Sequence, residues 1–190
     1  GLQSGDVVAV CAASSVRYAA VYLGALRAGV VVAPLAPSVT PEAMASMLGD
    51  AQARLLFADA QGTAAVPPAV MQGAGALALD DAGAGTPWSQ WLAPEGAAPQ
   101  PVDVGPEHPF NIIYSSGTTG NPKGIVQSHG MRWAHLVRGL SQGYGPDSVT
   151  LLATPLYSNT TLVSFFPGLC WGGSVRLMAK FDALRYLQTA

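Results

Sequence analysis

The stretch DVVAVCAASSVRYAAVYLGALRAGVVVAPLA, residues 6–36, contains two valine-rich apolar runs separated by a longer segment of mixed polarity. The runs at residues 6–12 and 30–36 each have the length and composition of a buried strand. Between them, the spacing of the apolar residues predicts a helix whose buried face carries Val16, Ala20, Leu23 and Leu26. The order strand, helix, strand predicts parallel pairing, with the helix packed on the sheet.

Capping residues mark the ends of two predicted helices. Ser14 or Ser15 can cap the first turn of the first helix, and Gly29 can end it. The next segment, TPEAMASMLGDA, has Thr40 as a cap and Pro41 at the first helical position. Both helices therefore begin at residues that favour such a boundary, and the first helix also ends at one.

The same alternation continues along the chain. A third strand is predicted at ARLLFAD, residues 53–59, directly after the second helix. Further strands are predicted at residues 110–114, 149–155 and 174–180, and a strand or extended piece at 125–129. Helices are predicted at 131–140, within 159–173 and from 181 onward. The sequence thus predicts an α/β fold with a predominantly parallel sheet flanked by helices.

Residues 60–108 differ from the rest in being rich in Ala, Gly and Pro. LALDD predicts a short strand and TPWSQWLA a short helix in this segment. Trp88 and Trp91 are three residues apart, so their indoles share one helical face that is worth burying. We therefore expect an irregular crossover within one domain.

Composition excludes several functional classes. The 190 residues are 49% hydrophobic and 11% charged, with a net charge of -2. The chain has no excess of basic residues, so its composition gives no sign of nucleic-acid binding. The apolar runs are shorter than the roughly 18 to 20 residues that a membrane-spanning helix requires. Cys11 and Cys170 have no partner at metal-ligand spacing, so we expect free core thiols and no metal site. Free thiols fit a reducing cytoplasmic location.

The loop YSSGTTGNPKG, residues 114–124, follows a predicted strand and is rich in Gly, hydroxyl side chains and one lysine. Glycines let backbone N–H groups surround an anion, and Lys123 adds a positive charge. The loop is not a Walker A motif, because Pro122 stands where that motif has its second glycine and Gly124 stands where it has Ser or Thr. The alternative is a surface loop of turn-forming residues.

This loop resembles the phosphate-binding signature of the adenylate-forming superfamily, which includes acyl-CoA synthetases, adenylation domains of nonribosomal peptide synthetases and luciferases. Residues 23–59 and the segments IVQSHG, ATPLYS and WGGSVRLMAKFD are similar to flanking family segments in the same order. The resemblance implies that residues 1–190 are part of the large N-terminal domain that binds ATP and the acid, without the mobile C-terminal domain.

The resemblance also implies a two-step ligase. A carboxylic acid would react with ATP and Mg²⁺ to give an acyl-adenylate and pyrophosphate, and coenzyme A would then accept the acyl group. The matching positions for the β- and γ-phosphates are Ser115, Ser116, Gly117, Thr118, Thr119, Gly120 and Lys123. Ser115 stands where many members have Thr, which keeps the hydroxyl.

The segment PLYSNTT corresponds to the start of the family's acyl pocket, so Tyr157, Ser158 and Asn159 are candidate pocket residues. Ser158 occupies a position where an acid-lining histidine is common, so no inference about the acid rests on that histidine. Lys180 resembles a lysine that contacts coenzyme A, although a solvated lysine at a strand end is the simpler interpretation. A core residue is the simpler interpretation of Tyr157, since buried aromatic side chains mostly pack.

His129 has two interpretations as well. Its place shortly after the loop allows a position near the nucleotide, whereas a hydrogen-bonded structural histidine needs no ligand.

No stretch resembles the family's later Thr/Glu segment, ribose-binding aspartate, hinge or catalytic lysine. We therefore expect the catalytic lysine outside this chain, the remainder of the polypeptide as a partner, and no activity from residues 1–190 alone. Three hypotheses remain: part of an acyl-CoA synthetase with a role such as fatty acid metabolism, part of an amino-acid-activating adenylation domain, or a non-catalytic nucleotide-binding module of the same fold.

Overall fold

The computed structural model describes residues 1–71, 75–80, 82–115 and 122–190. The strands are β1 (Val7–Cys11), β2 (Val31–Leu35), β3 (Leu55–Ala58), β4 (Gly75–Ala78), β5 (Thr86–Pro87), β6 (Pro109–Ser115), β7 (Lys123–Ser128), β8 (Val149–Leu152) and β9 (Ser174–Leu177). The helices are α1 (Val16–Arg27), α2 (Pro41–Asp50), α3 (Ala60–Ala65), α4 (Pro68–Met71), α5 (Trp88–Trp91), α6 (His129–Ser141), α7 (Asn159–Cys170) and α8 (Ala183–Thr189).

Among the described residues, seven strands form one sheet in the order β5-β4-β3-β1-β2-β6-β7. Every pairing in it is parallel except that of β6 with β7. Helices cover both faces of β1, because its alternate residues Val8 and Val10 join one core cluster while Ala9 and Cys11 join the other. The predicted predominantly parallel sheet flanked by helices is confirmed.

The antiparallel pairing of β7 was not predicted. The segment IVQSH reads as one more strand of an alternating series, yet only residues 116–122 separate β7 from β6. The chain therefore turns back directly, and β6 and β7 form a hairpin at the edge of the sheet. A short connection between neighbouring strands permits only this direction, since a parallel crossover needs a dozen or more residues.

Strands β8 and β9 form a separate two-stranded parallel sheet that α7 connects. The buried side of α7 packs on the main sheet through Phe166, whose ring lies 5.1 Å from the ring of Phe110 and 5.4 Å from that of Tyr22. Aromatic packing around α7 thus joins the second sheet to the first.

The buried face of α1 differs from the predicted one. Val16 is 81% exposed and Leu23 is 41% exposed, whereas Tyr18 and Tyr22 are fully buried. Two residues along a helix correspond to a rotation of about 200°, so the face with Val16 points away from the face with Tyr18. Both faces satisfy helical spacing, and the sheet buries the one with the larger aromatic area.

The predicted helix boundaries agree with the structure. Ser15 caps α1, its Oγ accepting a hydrogen bond from the Tyr18 amide at 3.1 Å. Thr40 caps α2 in the same way, with Pro41 at the first helical position. Gly29 follows α1 with a φ of 68°, a conformation that a residue with a Cβ rarely adopts.

The segment at residues 60–108 contributes to the main sheet. Strands β4 and β5 extend it beyond β3, and α5 carries the two tryptophans. The Trp91 ring stands edge-on to Phe57 at 4.9 Å, and the Trp88 and Trp91 rings are 5.9 Å apart. The indoles thus attach this segment to the core.

The two cysteines lie in different surroundings. Cys11 is fully buried at the end of β1, as expected, but Cys170 is exposed at the end of α7. The expectation of a core thiol is wrong for Cys170, because α7 packs through Leu162, Phe165 and Phe166 and its last residue lies outside that face.

Burial, together with the negative charge of Asp59, raises the pKa of the Cys11 thiol from 9.0 to about 12. The protonated thiol therefore stabilises the fold fully below pH 9, and this contribution is lost as the pH rises from 9 towards 12. Between pH 8 and pH 10, we expect the free energy of unfolding to fall by about 1.4 kcal/mol more in the wild type than in Cys11→Ala. Urea unfolding at both pH values measures it, with Cys170→Ala as the matched control. Equal falls in the wild type and Cys11→Ala would contradict the assignment.

Gly24 lies inside α1, where a Cβ would meet no atom within 4 Å. Glycine in a helix interior is less stable than alanine because it loses more backbone freedom on folding. We expect Gly24→Ala to raise the free energy of unfolding by about 0.5 to 1 kcal/mol in urea titrations. A lower stability would show that this position does not have the space that the structure gives it.

Candidate functional site

The β6–β7 hairpin places two of the predicted phosphate-binding residues together. Ser115 and Lys123 are opposite each other in the register, at the last residue of β6 and the first of β7, and both are exposed. Because β6 is parallel to β2 and β2 to β1, this end of the hairpin lies at the edge where the parallel strands finish. Open α/β sheets bind ligands at that edge. The other predicted phosphate-binding residues lie outside the described residues: Ser116, Gly117, Thr118, Thr119 and Gly120.

Tyr114 anchors the hairpin immediately before Ser115. Its hydroxyl donates to Asp50 Oδ2 at 2.7 Å and lies 3.0 Å from the Met47 carbonyl oxygen, both on α2. Burial is the largest cause that raises the pKa of Tyr114, and the bond to Asp50 adds to it. The phenol therefore stays protonated as a donor, and the start of the loop is fixed to the last turn of α2.

Gly124 lets this anchor form. It is the register partner of Tyr114, and a Cβ at this position would lie 3.0 Å from Asp50 Oδ2 and 3.2 Å from Tyr114 Cε1. These separations are tighter than ordinary contacts, so a larger residue would displace the Tyr114 ring or the Asp50 carboxylate. Sequence reasoning missed the Tyr114–Asp50 pair; Asp50 lies 64 residues away and carries no local signal.

The predicted acyl-pocket residues follow β8 and begin α7. Tyr157, Ser158 and Asn159 are half-buried. Ser158 is the N-cap residue of α7, but its side chain forms no capping hydrogen bond. The hydroxyls of Thr154 and Thr161 are 2.6 Å apart and hold the connection against the first turn of the helix.

A hydrogen bond brings this segment to the main sheet. The Leu156 amide donates to Ser14 Oγ at 2.9 Å, and both residues are buried. Ser14 follows the end of β1, so the carboxyl ends of β1 and β8 meet here. Ser14, one of the two predicted helix caps, thus has a tertiary role instead.

Lys180 lies beyond the end of β9, where it is exposed on one wall of a cleft of about 860 Å³. Ser14, Ser15 and Arg185 also line this cleft. The structure thus places Lys180 near the carboxyl end of β1 but does not bring it into the hairpin.

His129 lies at the far end of the hairpin from Lys123. It directly follows Ser128, which pairs with Pro109, six residues before Ser115 on β6. Six residues of strand span roughly 20 Å. The ring packs edge-on against Phe110 at 4.9 Å, and burial, together with His108, lowers its pKa. His129 therefore packs against Phe110 at the opposite end of the hairpin from Ser115 and Lys123, which favours the structural interpretation.

A buried polar cluster joins β6, β7, α6 and α7, and sequence reasoning missed it. Arg132 Nη2 donates to Gln127 Oε1 and to Asn159 Oδ1, the latter at 2.7 Å. Next to it, the Asn111 amide donates to the Tyr22 hydroxyl at 2.7 Å. Burial is the main cause that lowers the pKa of Arg132. Asn159, a predicted pocket residue, is thus fixed from inside.

No helix in the described ranges is long and apolar enough to span a membrane. Likewise, no group of three or more His, Cys, Asp or Glu residues in these ranges could hold a metal ion.

Comparison with known proteins gives a consistent result. The sequence model of the family described as AMP-binding enzyme matches residues 1–189. The 3-hydroxybenzoate–CoA ligase of Aromatoleum sp. (strain CIB) is 37% identical over 143 residues, which cover 68% of this chain and 26% of the ligase. The phosphinothricin tripeptide synthetase PhsB of Streptomyces viridochromogenes is 30% identical over 190 residues, 97% of this chain and 15% of the synthetase.

The fold has solved counterparts as well. The ATP-bound structure of MatB from Rhodopseudomonas palustris matches with a TM-score of 0.82 at 32% identity, over 99% of this chain and 38% of that chain. This chain therefore spans well under half the length of each of these proteins.

Proposed function

Because the chain belongs to the AMP-binding enzyme family, we propose that it is part of the large N-terminal domain of an adenylate-forming ligase, the domain that binds ATP and a carboxylic acid. The observation that carries the proposal is the position of Ser115 and Lys123 at the carboxyl edge of the parallel sheet. The mobile C-terminal domain and the catalytic lysine belong to the remainder of the polypeptide.

The proposed first step is attack of the acid's carboxylate on the α-phosphate of ATP, which forms the acyl-adenylate and releases pyrophosphate. Lys123 forms no ion pair with a described residue, so its ammonium is free to meet the β- and γ-phosphates. The hydroxyl of Ser115 and the loop residues Ser116 to Gly120 would donate to the same oxygens. Such donors favour the transition state because negative charge accumulates on the leaving pyrophosphate. Mg²⁺ would help neutralise the triphosphate.

We propose an acyl-CoA synthetase as the leading assignment. In that role, coenzyme A takes the acyl group from the adenylate, Lys180 contacts coenzyme A, and Tyr157, Ser158 and Asn159 line the acid's pocket. The similarity to a 3-hydroxybenzoate–CoA ligase supports this choice. We further propose that the enzyme is cytoplasmic and activates acids in a process such as fatty acid metabolism. The similarity to a tripeptide synthetase supports the alternative of an amino-acid-activating domain, which transfers to a carrier protein.

Pyrophosphate exchange by the full-length protein tests the proposal. We expect acid-dependent exchange with at least one member of a panel of fatty, aromatic and amino acids, followed by a coenzyme A thioester when the acid is not an amino acid. Exchange confined to amino acids would favour the alternative. Tight ATP binding without exchange for any acid would leave only a non-catalytic nucleotide-binding module.

The isolated chain provides a second test. We expect purified residues 1–190 to give background exchange, because the groups that hold metal, ribose and in-line geometry are not recognised in them. Turnover by this chain alone would contradict the placement of the catalytic lysine elsewhere.

A further inference from the structure

Arg132, the fourth residue of α6, is a buried cation that has no counter-ion among the described residues. Its side chain is only 2% exposed. Within the described part of the chain, no carboxylate pairs with it. Its Nε and Nη1 atoms are buried and form no hydrogen bond there, while the guanidinium lies 5.6 Å from the centre of the Phe110 ring. A buried charge is costly unless it is paired, so core packing alone does not account for an arginine here.

The bonds that Arg132 does form join two elements of the proposed site. One nitrogen, Nη2, donates both to Gln127 on β7 and to Asn159 at the start of α7. β7 begins at Lys123, and Asn159 is a proposed residue of the acid's pocket. A single planar group therefore connects the strand that leaves the phosphate-binding loop with the first residue of α7.

We propose that Arg132 is a positioning residue, which holds Asn159 against β7 and so fixes the wall of the acid's pocket relative to the phosphate-binding hairpin. This inference rests on the proposed function. Ser158 gives α7 no side-chain capping bond, so the Arg132–Asn159 bond is a main polar restraint at that end of the helix. Both hydrogens of Nη2 are used, and the ring of Phe110 limits movement of the guanidinium.

The effect should concern the acid and not ATP. Gln127 is four residues from Lys123 along β7, which corresponds to roughly 13 Å of extended chain. Loss of the Arg132 hydrogen bonds would release Asn159, whereas Lys123 would remain paired with Ser115 by the β6–β7 ladder. The KM for the acid should therefore rise while the KM for ATP stays constant.

The test uses three variants of the full-length protein in pyrophosphate exchange. Arg132→Met keeps the approximate length of the side chain but removes its donors, and we expect about a 10-fold rise in the KM for the acid, the size of one lost hydrogen bond. Arg132→Lys keeps donors and should recover part of this loss. Arg138→Met, on the exposed side of the same helix, is the matched control and should behave as wild type.

Non-additivity gives a sharper criterion. In the Arg132→Met background, Asn159→Ala should raise the KM for the acid much less than it does alone, since the restraint has already been lost. Additive effects of the two substitutions would overturn the proposal. An unchanged KM for the acid in folded Arg132→Met, or an equal rise in both KM values, would also overturn it.

Hydrogen exchange separates this inference from the proposed function. The amides of Thr161 and Leu162 donate to the Ser158 carbonyl. Without any substrate, these amides should exchange faster in Arg132→Met than in the wild type. In Arg132→Lys their exchange rate should lie between the two. If the wild type shows no pyrophosphate exchange with any acid, the proposed function fails. Amide exchange then still shows whether Arg132 restrains Asn159 at the start of α7. Wild-type protection at these amides in both variants would overturn it.

Discussion

We expect Lys123→Ala in the full-length protein to lower kcat/KM for ATP in pyrophosphate exchange by about 10- to 150-fold. The lost interaction is a charge-assisted hydrogen bond worth about 1.5 to 3 kcal/mol, which strengthens as pyrophosphate departs. Acid binding should change less, because the proposed pocket residues Tyr157, Ser158 and Asn159 lie at the start of α7 and not on the hairpin. Lys123→Arg should recover only part of the activity, since a planar guanidinium fills the loop differently from a compact ammonium.

Arg27→Ala is the matched control, since it removes an exposed cation from the last turn of α1. It should retain wild-type kinetics. Thermal melting of each variant separates a loss of function from a loss of folded protein. A folded Lys123→Ala enzyme with unchanged ATP kinetics would eliminate the phosphate-binding role of this residue.

The second large effect is expected at Gly62, where Gly62→Ala should lower the free energy of unfolding by about 3 kcal/mol. A Cβ at Gly62 would overlap the carbonyl oxygen of Cys11 and lie 2.7 Å from its carbonyl carbon. These are backbone atoms of a central strand, so neither can move without disturbing the pairing of β1 with its neighbours. Asp59 fixes Gly62 from the other side, because its Oδ1 accepts from the Gly62 amide at 2.7 Å.

Gly24→Ala is the matched control, as the same substitution in a helix with open space around the position. The two variants should change stability in opposite directions in urea titrations. Similar stabilities for both would mean that α3 lies farther from β1 than the structure places it.

Much of the fold could be predicted because its signals are local. The valine-rich runs around α1 and the capping residues Ser15 and Thr40 are read within a few neighbouring positions. The loop at residues 114–124 was recognised by the same means, and its ends at Ser115 and Lys123 lie at the predicted edge of the sheet. The phosphate-binding roles of all the loop residues, Ser115 and Lys123 included, stay predictions.

The contacts that shape the candidate site could not be predicted in this way. Tyr114 and Asp50 are separated by 64 residues, and Leu156 and Ser14 by 142. A hydroxyl or carboxylate has the same local signal whether it faces water or a distant donor. Arg132 is the extreme case, because a charged residue in an amphipathic helix predicts exposure.

By itself, the sequence determined the order of the longer strands and helices, both ends of α1, the start of α2, and the position of the loop that joins β6 to β7. Periodicity fixes the type of an element, because backbone geometry repeats over neighbouring residues. Only the tertiary structure decided that α1 buries Tyr18 instead of Val16, that β7 turns back antiparallel, and that Arg132 lies inside. Helical spacing is equally good for opposite faces, so the choice depends on which surface the neighbouring elements cover. That choice is made by contacts between residues distant in the chain.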